Sequence, residues 1–299
     1  MHKVAPLENE DSLRGFGFAA SAYFLWGILP VYLKAMAHIP ALEVVAHRAV
    51  WSLPFAGLLL IVLRRTADLK EILKSPRMLA MATLTAVLVA ANWGIYVWAI
   101  ANDNALDAAL GYFINPLFSI FLGAVLLGEK LGNLQKAAIA LAVLAVVLLT
   151  LQLGRLPLVA IGLTLTWGGY AYFKKMLPIG PNQGFFLEIL ILTLPALCYI
   201  FWLGWTGQGS FFKGSTTDNL LLICSGAVTA IPLALYANGA KLLRLSTIAI
   251  MQYIPPTLVF LVAIFVFREP FGQAQFFSFA LIWAALGLYS FSIMRHRGG

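Results

Sequence analysis

A chain of 299 residues that is 61% hydrophobic and only 11% charged, with a mean hydropathy of +0.88, lies far outside the composition of soluble domains and reads as a polytopic membrane protein. Its net charge of +8 does not call for nucleic acid, because the basic residues stand in loops beside apolar runs, where the positive-inside rule accounts for them. Cys198 and Cys224 have neither metal-ligand nor CxxC spacing, so neither a metal site nor a disulfide framework is expected.

A hydrocarbon core about 30 Å thick takes roughly 20 apolar residues to cross as a helix, the form that satisfies its own backbone polar groups. Ten runs meet that requirement, predicting spans at 14–37, 41–63, 77–100, 105–127, 134–153, 157–176, 183–205, 218–240, 245–267 and 273–294. Residues 1–13 carry Glu8, Glu10 and Asp11 and lead into a run too long for a signal peptide, so a short cytoplasmic tail without cleavage is expected. A second tail is expected over 295–299. Of the two longer connections, 64–76 and 206–217, the first puts Leu69, Ile72 and Leu73 on one helical face, which predicts a small helix lying on the membrane surface.

Lys and Arg divide unevenly between the two sides. One side holds 15, the other holds Lys34, Arg155, Lys213 and Arg268, and Arg48 inside a span completes the 20. Both termini are therefore expected in the cytoplasm. The chain also repeats itself. Pro116 to Pro256, Glu129 to Glu269 and Tyr96 to Tyr236 are each 140 apart, and Trp26 to Trp167 and Lys34 to Lys175 are 141 apart. Five spans per copy is an odd number, so the second copy enters the bilayer upside down, as in secondary transporters built from inverted repeats. The repeats are expected at 14–153 and 157–294.

Four separated segments resemble the RarD group of the EamA family, in the drug/metabolite transporter superfamily. They are Ala22-Tyr23-Phe24-Leu25-Trp26-Gly27; Glu43 through His47-Arg48 to Trp51-Ser52; Leu110-Gly111-Tyr112-Phe113-Ile114-Asn115-Pro116; and Arg244-Leu245-Ser246-Thr247 with Gln252-Tyr253-Ile254 before Pro256-Thr257. The resemblance covers about 15–294. It implies an all-α fold of ten transmembrane helices in two inverted five-helix EamA units, with a central cavity opening alternately to each side. It further implies export of small metabolites, amino acids and aromatic ones in particular, through the related YddG exporters.

A charge at the centre of a bilayer costs about 2.5–3.5 kcal/mol on insertion scales, so ionisable residues inside spans need a reason. Glu43, His47 and Arg48 form such a cluster in span two, and Glu188 stands in the equivalent span of the second repeat. Two readings are open: Arg48 holds a substrate carboxylate while Glu43 or His47 carries a coupling proton, or the group is a structural polar network. For contact with cargo, mid-span aromatic and amide groups are the candidates. Asn92 with Tyr96, Tyr112 with Asn115, and Trp167 with Tyr170 are each spaced to share a helix face, and Tyr23, Trp26, Tyr236, Gln252 and Tyr253 are expected to complete the wall. Trp51, Trp93, Trp202 and Trp205 are assigned to packing or to the interfacial belt.

Several prolines fall within predicted spans, Pro255 and Pro256 among them, where a missing donor kinks the helix. The repeat-related Pro116 and Pro256 are the expected hinges. Glu129 and Glu269 are expected as caps, or as gate partners of Lys130 and Arg268. No GxSxG, P-loop or HExxH pattern is present, so no cofactor or catalysis is expected and energy must come from a gradient. The sequence thus favours a gradient-driven inner-membrane exporter of amino acids or related small metabolites, working as a monomer. Two alternatives are a membrane enzyme acting on lipid-linked substrates and a drug or sugar-nucleotide carrier of the same fold.

Overall fold

The computed structural model describes residues 12–62, 66, 75–127, 131–177, 179–211, 213, 215–240, 242–243, 247–248 and 251–295. Its principal helices follow the apolar runs: α1 (Leu13–Lys34), α2 (Ala41–Val62), α3 (Pro76–Ala101), α4 (Ala105–Leu127), α5 (Asn133–Leu153), α6 (Leu158–Met176), α7 (Pro181–Thr206), α8 (Thr216–Ala240), α9 (Ile254–Leu261, continued by a π-helical turn over Val262–Val266) and α10 (Gln273–Arg295). Eight of these are long and apolar enough to cross a membrane on that criterion alone; α6 and α9 complete the ten. Apart from Thr66, the expected surface helix at 65–74 and the Gly128-Glu129-Lys130 segment lie outside the described residues.

Local chemistry sets the helix ends. Ser12 accepts the amide of Gly15 at 3.0 Å to start α1, and Ser75 with Pro76 starts α3 in the same way. Gly154 (φ 64°) and Gly207 (φ 71°) take the left-handed conformation that ends α5 and α7. Large apolar side chains then cover the outside of the bundle. Phe201, Leu194, Phe265 and Trp205 are all more than two-thirds exposed, which suits hydrocarbon and not water.

The two halves interlock. Helix α5 packs on α10 and α2 on α7, while α1 packs on α8 and α9, and α6 on α3 and α4. Exchanging each helix with the one five places on maps this pattern onto itself, as a pseudo-twofold relation between five-helix units requires. The same exchange appears atom by atom. Gly27 lies against Leu258, and the repeat-related Gly168 lies against the equivalent Phe118; a Cβ at either glycine would overlap that side chain. Five crossings per unit invert the second copy relative to the first.

Polar ties gather at one end of the bundle. Lys34 pairs with Asp103 at 2.6 Å and also donates to the Ile100 carbonyl at 3.1 Å. His38 meets Asp218 at 3.0 Å. The π turn of α9 and a left-handed Arg268 (φ 55°) swing Glu269 across to α4, whose Ala105 and Leu106 amides donate to the two carboxylate oxygens at 2.7 and 2.9 Å. Burial pushes this carboxyl above the usual glutamate range, and the two amides pull it back. Glu269 is therefore a helix cap and not the gate partner of Arg268. Glu269→Ala strands two buried amides and is expected to cost about 1–3 kcal/mol, read as a lower melting temperature in detergent, with Glu269→Gln losing less.

Span nine departs from expectation. The chain turns at Gln252 and Tyr253 and α9 restarts at Ile254, so Pro255 and Pro256 occupy the first helical turn, where their missing amides leave no bond unmade. Pro116, by contrast, sits inside α4. The two repeat-related prolines are thus not equivalent kinks.

Candidate functional site

Arg48 lies about two turns into α2, 5% exposed, with its guanidinium carbon 4.6 Å from the ring centroid of Trp93 on α3. Its Nε donates to Thr229 Oγ1 on α8 at 3.2 Å, and its Nη1 has no hydrogen-bond partner among the described residues. The phenols of Tyr112, Tyr96 and Tyr32 interact with it electrostatically. One turn further along α2, the buried Ser52 hydroxyl is also without a partner, as are both polar atoms of the Asn115 amide on α4. Buried polar groups are normally satisfied. Arg48 thus presents an N–H without a partner among the described residues, on the face of the Trp93 ring.

An aromatic wall extends from this point. Tyr96 and Tyr112 meet edge to face at 5.4 Å between centroids, Tyr112 meets Trp167 at 6.5 Å, and Trp167 meets Tyr170 at 5.4 Å. Asn92 pins it: Nδ2 donates to Leu163 O at 3.2 Å and Thr166 Oγ1 at 3.0 Å on α6, while Oδ1 accepts from Tyr112 at 3.1 Å. Both amide hydrogens of Asn92 are thus engaged within the protein, and the residue sets the position of Tyr112.

The other expected wall residues go elsewhere. Tyr23, Trp26 and Tyr236 form a separate cluster with centroids 5.7 to 5.9 Å apart, which packs with Met251. Gln252 is exposed, and Tyr253 packs against the main core. The span-two cluster also divides. Glu43 accepts from Ser210 N at 2.7 Å, Phe211 N at 3.1 Å and Ser210 Oγ at 3.1 Å, anchoring the loop before α8. His47 accepts from Trp51 Nε1 at 3.2 Å and meets the Phe211 ring at a tilt, with its Nε2 without a partner among the described residues. Arg48 alone of the three lies on an aromatic ring of α3, that of Trp93. Glu188 pairs with Lys174 instead, as described below. Trp93, assigned to packing or the interfacial belt on sequence grounds, does pack against the main core and also gives its ring face to Arg48.

Comparison with known proteins fits this architecture. Residues 13–151 match the model of the EamA-like transporter family. The chain is 39% identical over 283 residues to an uncharacterized transporter of Vibrio cholerae, an alignment covering 95% of this chain and 94% of that one. It is 38% identical to the protein RarD of Streptomyces exfoliatus, covering 96% and 91%. The chain belongs to the EamA-like transporter family. A solved structure described only as that of a protein superposes with a TM-score of 0.58 at 18% identity, over 92% of this chain and 96% of that one, which speaks to the fold alone.

Membership in this family, within the drug/metabolite transporter superfamily, makes the chain a multi-pass membrane transporter with a small molecule as cargo and the lipid bilayer as its surroundings. For such an EamA-type carrier the Arg48 site is well placed. It lies inside the interlocked bundle, reached by helices of both units: α2, α3 and α4 from one and α8 from the other.

Proposed function

We propose that this EamA-type protein is a gradient-driven exporter of amino acids with aromatic or hydrophobic side chains, or of similarly built metabolites, working by alternating access in the bacterial inner membrane. The observation that carries this reading is the open N–H of the buried Arg48 guanidinium on the face of the Trp93 ring, within electrostatic range of the Tyr96 and Tyr112 phenols. A carboxylate pairs with the guanidinium while an apolar or aromatic side chain lies along the rings. Asn115, with both amide atoms open, serves the ammonium or a second polar group. A single deep arginine suits one carboxylate better than the diphosphate of a nucleotide carrier.

Access alternates as the units at 14–153 and 157–294 rock against each other, with bending at Pro116 in α4 and at the break before Ile254. The ties at Lys34, Glu43 and Glu269 then close the outer mouth, with the tails at 1–13 and 295–299 in the cytoplasm. The charge bias supports that orientation, and cysteines placed at either terminus should label only from the cytoplasmic side.

Purified protein in liposomes should move labelled L-tryptophan or L-phenylalanine; carrier-free rates for both would sink the substrate assignment. Trp167→Ala is expected to weaken apparent affinity at least roughly 2- to 10-fold with the fold intact, since it removes one ring of the wall. Asn92→Ala should lower flux and melting temperature together, because it frees α6 from α3 as well as releasing Tyr112.

A further inference from the structure

A second ionic site lies apart from Arg48. On α7 the Glu188 carboxylate, 0% exposed, accepts from Lys174 Nζ of α6 at 2.6 Å and from the Tyr170 hydroxyl at 3.2 Å. Space for the lysine is provided by Gly184, one turn before Glu188, where a Cβ would come within 2.8 Å of the ammonium. The ammonium also lies 5.6 Å from the Tyr170 ring centroid. Helices α2 and α3 pack on α7 as well, bringing Glu43, His47 and Arg48, and Arg77 and Tyr96. Glu43 is held by Ser210 and Phe211 and Arg48 by Thr229, so Lys174 and Tyr170 are the groups in contact with the Glu188 carboxylate.

We propose that Glu188 is the proton-carrying site of the transport cycle. Two observations beyond the pair itself point there. First, the pair is not part of the repeat: with the offset of 141, Lys174 corresponds to Leu33, Tyr170 to Leu29 and Glu188 to His47. A device needed only to hold helices together would serve both units equally, and the first unit lacks it. Second, contacts run without a break from the carboxylate to the cargo wall, through Tyr170 to Trp167, Tyr112 and Asn92.

The step balances simply. A proton from one aqueous face bonds to a Glu188 carboxylate oxygen, the carboxylate becomes a carboxylic acid, and the Lys174–Glu188 pair goes from neutral to a single positive charge on Lys174. That lysine is 19% exposed and two residues from the end of α6, so its ammonium can swing to the interface and hydrate. The ion pair between α6 and α7 is then lost and the acceptor of Tyr170 weakens from a carboxylate to a carboxylic acid, which loosens the ring that meets Trp167 and, through it, Tyr112. Loss of the proton to the other face restores the pair. Buried pairs of this kind are poor sources of stability but good two-state elements.

This inference rests on the transporter reading but not on the choice of cargo, and its test has one arm for each. In the first arm, infrared difference spectra of the full-length purified protein between acid and alkaline pH should contain a buried carboxylic-acid band that is absent from Glu188→Gln. Lys174→Met should make that band persist at alkaline pH, because a lone buried carboxylate is neutralised by a proton. A band unchanged in Glu188→Gln, or no pH-dependent band, overturns the proposal whatever the cargo. In the second arm, with labelled L-tryptophan in proteoliposomes, Glu188→Gln should fall to the rate without a pH gradient while tryptophan–tryptophan counterflow persists. An equal response of wild type and variant to the gradient overturns the proposal. No tryptophan movement by wild type refutes the cargo assignment alone, and the spectra then decide the role of Glu188.

Discussion

Arg48→Met is expected to abolish carrier-dependent movement of carboxylate-bearing substrates while leaving the protein at least as stable as wild type. Truncating one partner of a buried hydrogen-bonded charge pair costs about 2–5 kcal/mol in binding, which is roughly 30-fold to a few thousand-fold in affinity. The folded protein loses much less. Among the described residues Arg48 makes one side-chain hydrogen bond, to Thr229, and no carboxylate pairs with it, since Glu43 is committed to Ser210 and Phe211. Exchanging an uncompensated buried charge for an apolar chain of similar length is neutral or stabilising. An increase in melting temperature together with loss of flux therefore separates a binding role from a structural one. Arg48→Lys keeps the charge but loses the planar fork and its face on Trp93, so only partial activity is expected. Tryptophanamide, which lacks the carboxylate, should distinguish wild type from Arg48→Met poorly. Wild-type kinetics for L-tryptophan in the methionine variant would refute the role given to this residue.

Gly226→Ala should be the most damaging single-methyl change in the bundle. Gly226 on α8 rests directly on the backbone of Trp51 in α2, and an added Cβ would overlap the Trp51 carbonyl oxygen and carbon. Backbone on both sides cannot yield as a side-chain tip can, so α2 and α8 must separate. Because α2 carries Arg48 and α8 carries Thr229, the separation reaches the site as well. Overpacking of this kind costs about 1–3 kcal/mol, and a clash with main chain belongs at the upper end. Gly94 and Gly287 are the internal controls, with nothing within 4 Å of their notional Cβ atoms. Their alanine variants should be neutral or gain up to about 1 kcal/mol from helix propensity. Thermal unfolding in detergent reads all three, and a Gly226→Ala variant that melts with the controls would contradict the close contact.

What could be read from the chain itself is what repeats or what is local. Hydropathy is a property of a stretch, so ten spans were legible, and the 140-residue offset made the inverted pairing legible because it survives in Pro116 and Pro256, Tyr96 and Tyr236. The restart of α9 at Ile254 was also written in the chain, as two adjacent prolines, which belong in a first turn more readily than mid-helix.

The make-up of the site was decided only in three dimensions. Tyr96 and Tyr236, and Trp26 and Trp167, are repeat mates, and an inverted repeat places mates in opposite halves of the bundle. Residues expected to share one wall therefore form two clusters. Glu43, His47 and Arg48 fall within two turns of one helix, yet they point to the loop before α8, to Trp51 on α2 itself and to Trp93 on α3 respectively. The rotation and crossing of α2 against α3, α7 and α8 choose those partners, and spacing along the chain does not encode either. Lys174 and Glu188, 14 positions apart, meet across the short connection between α6 and α7, a pairing set by how the chain turns there and not by spacing alone. The amino-acid sequence by itself thus determined that the chain crosses the bilayer ten times in two inverted halves, because burial in hydrocarbon acts residue by residue. Tertiary structure decided which buried charge keeps an open donor, because satisfying a buried polar group depends on what the neighbouring helix presents.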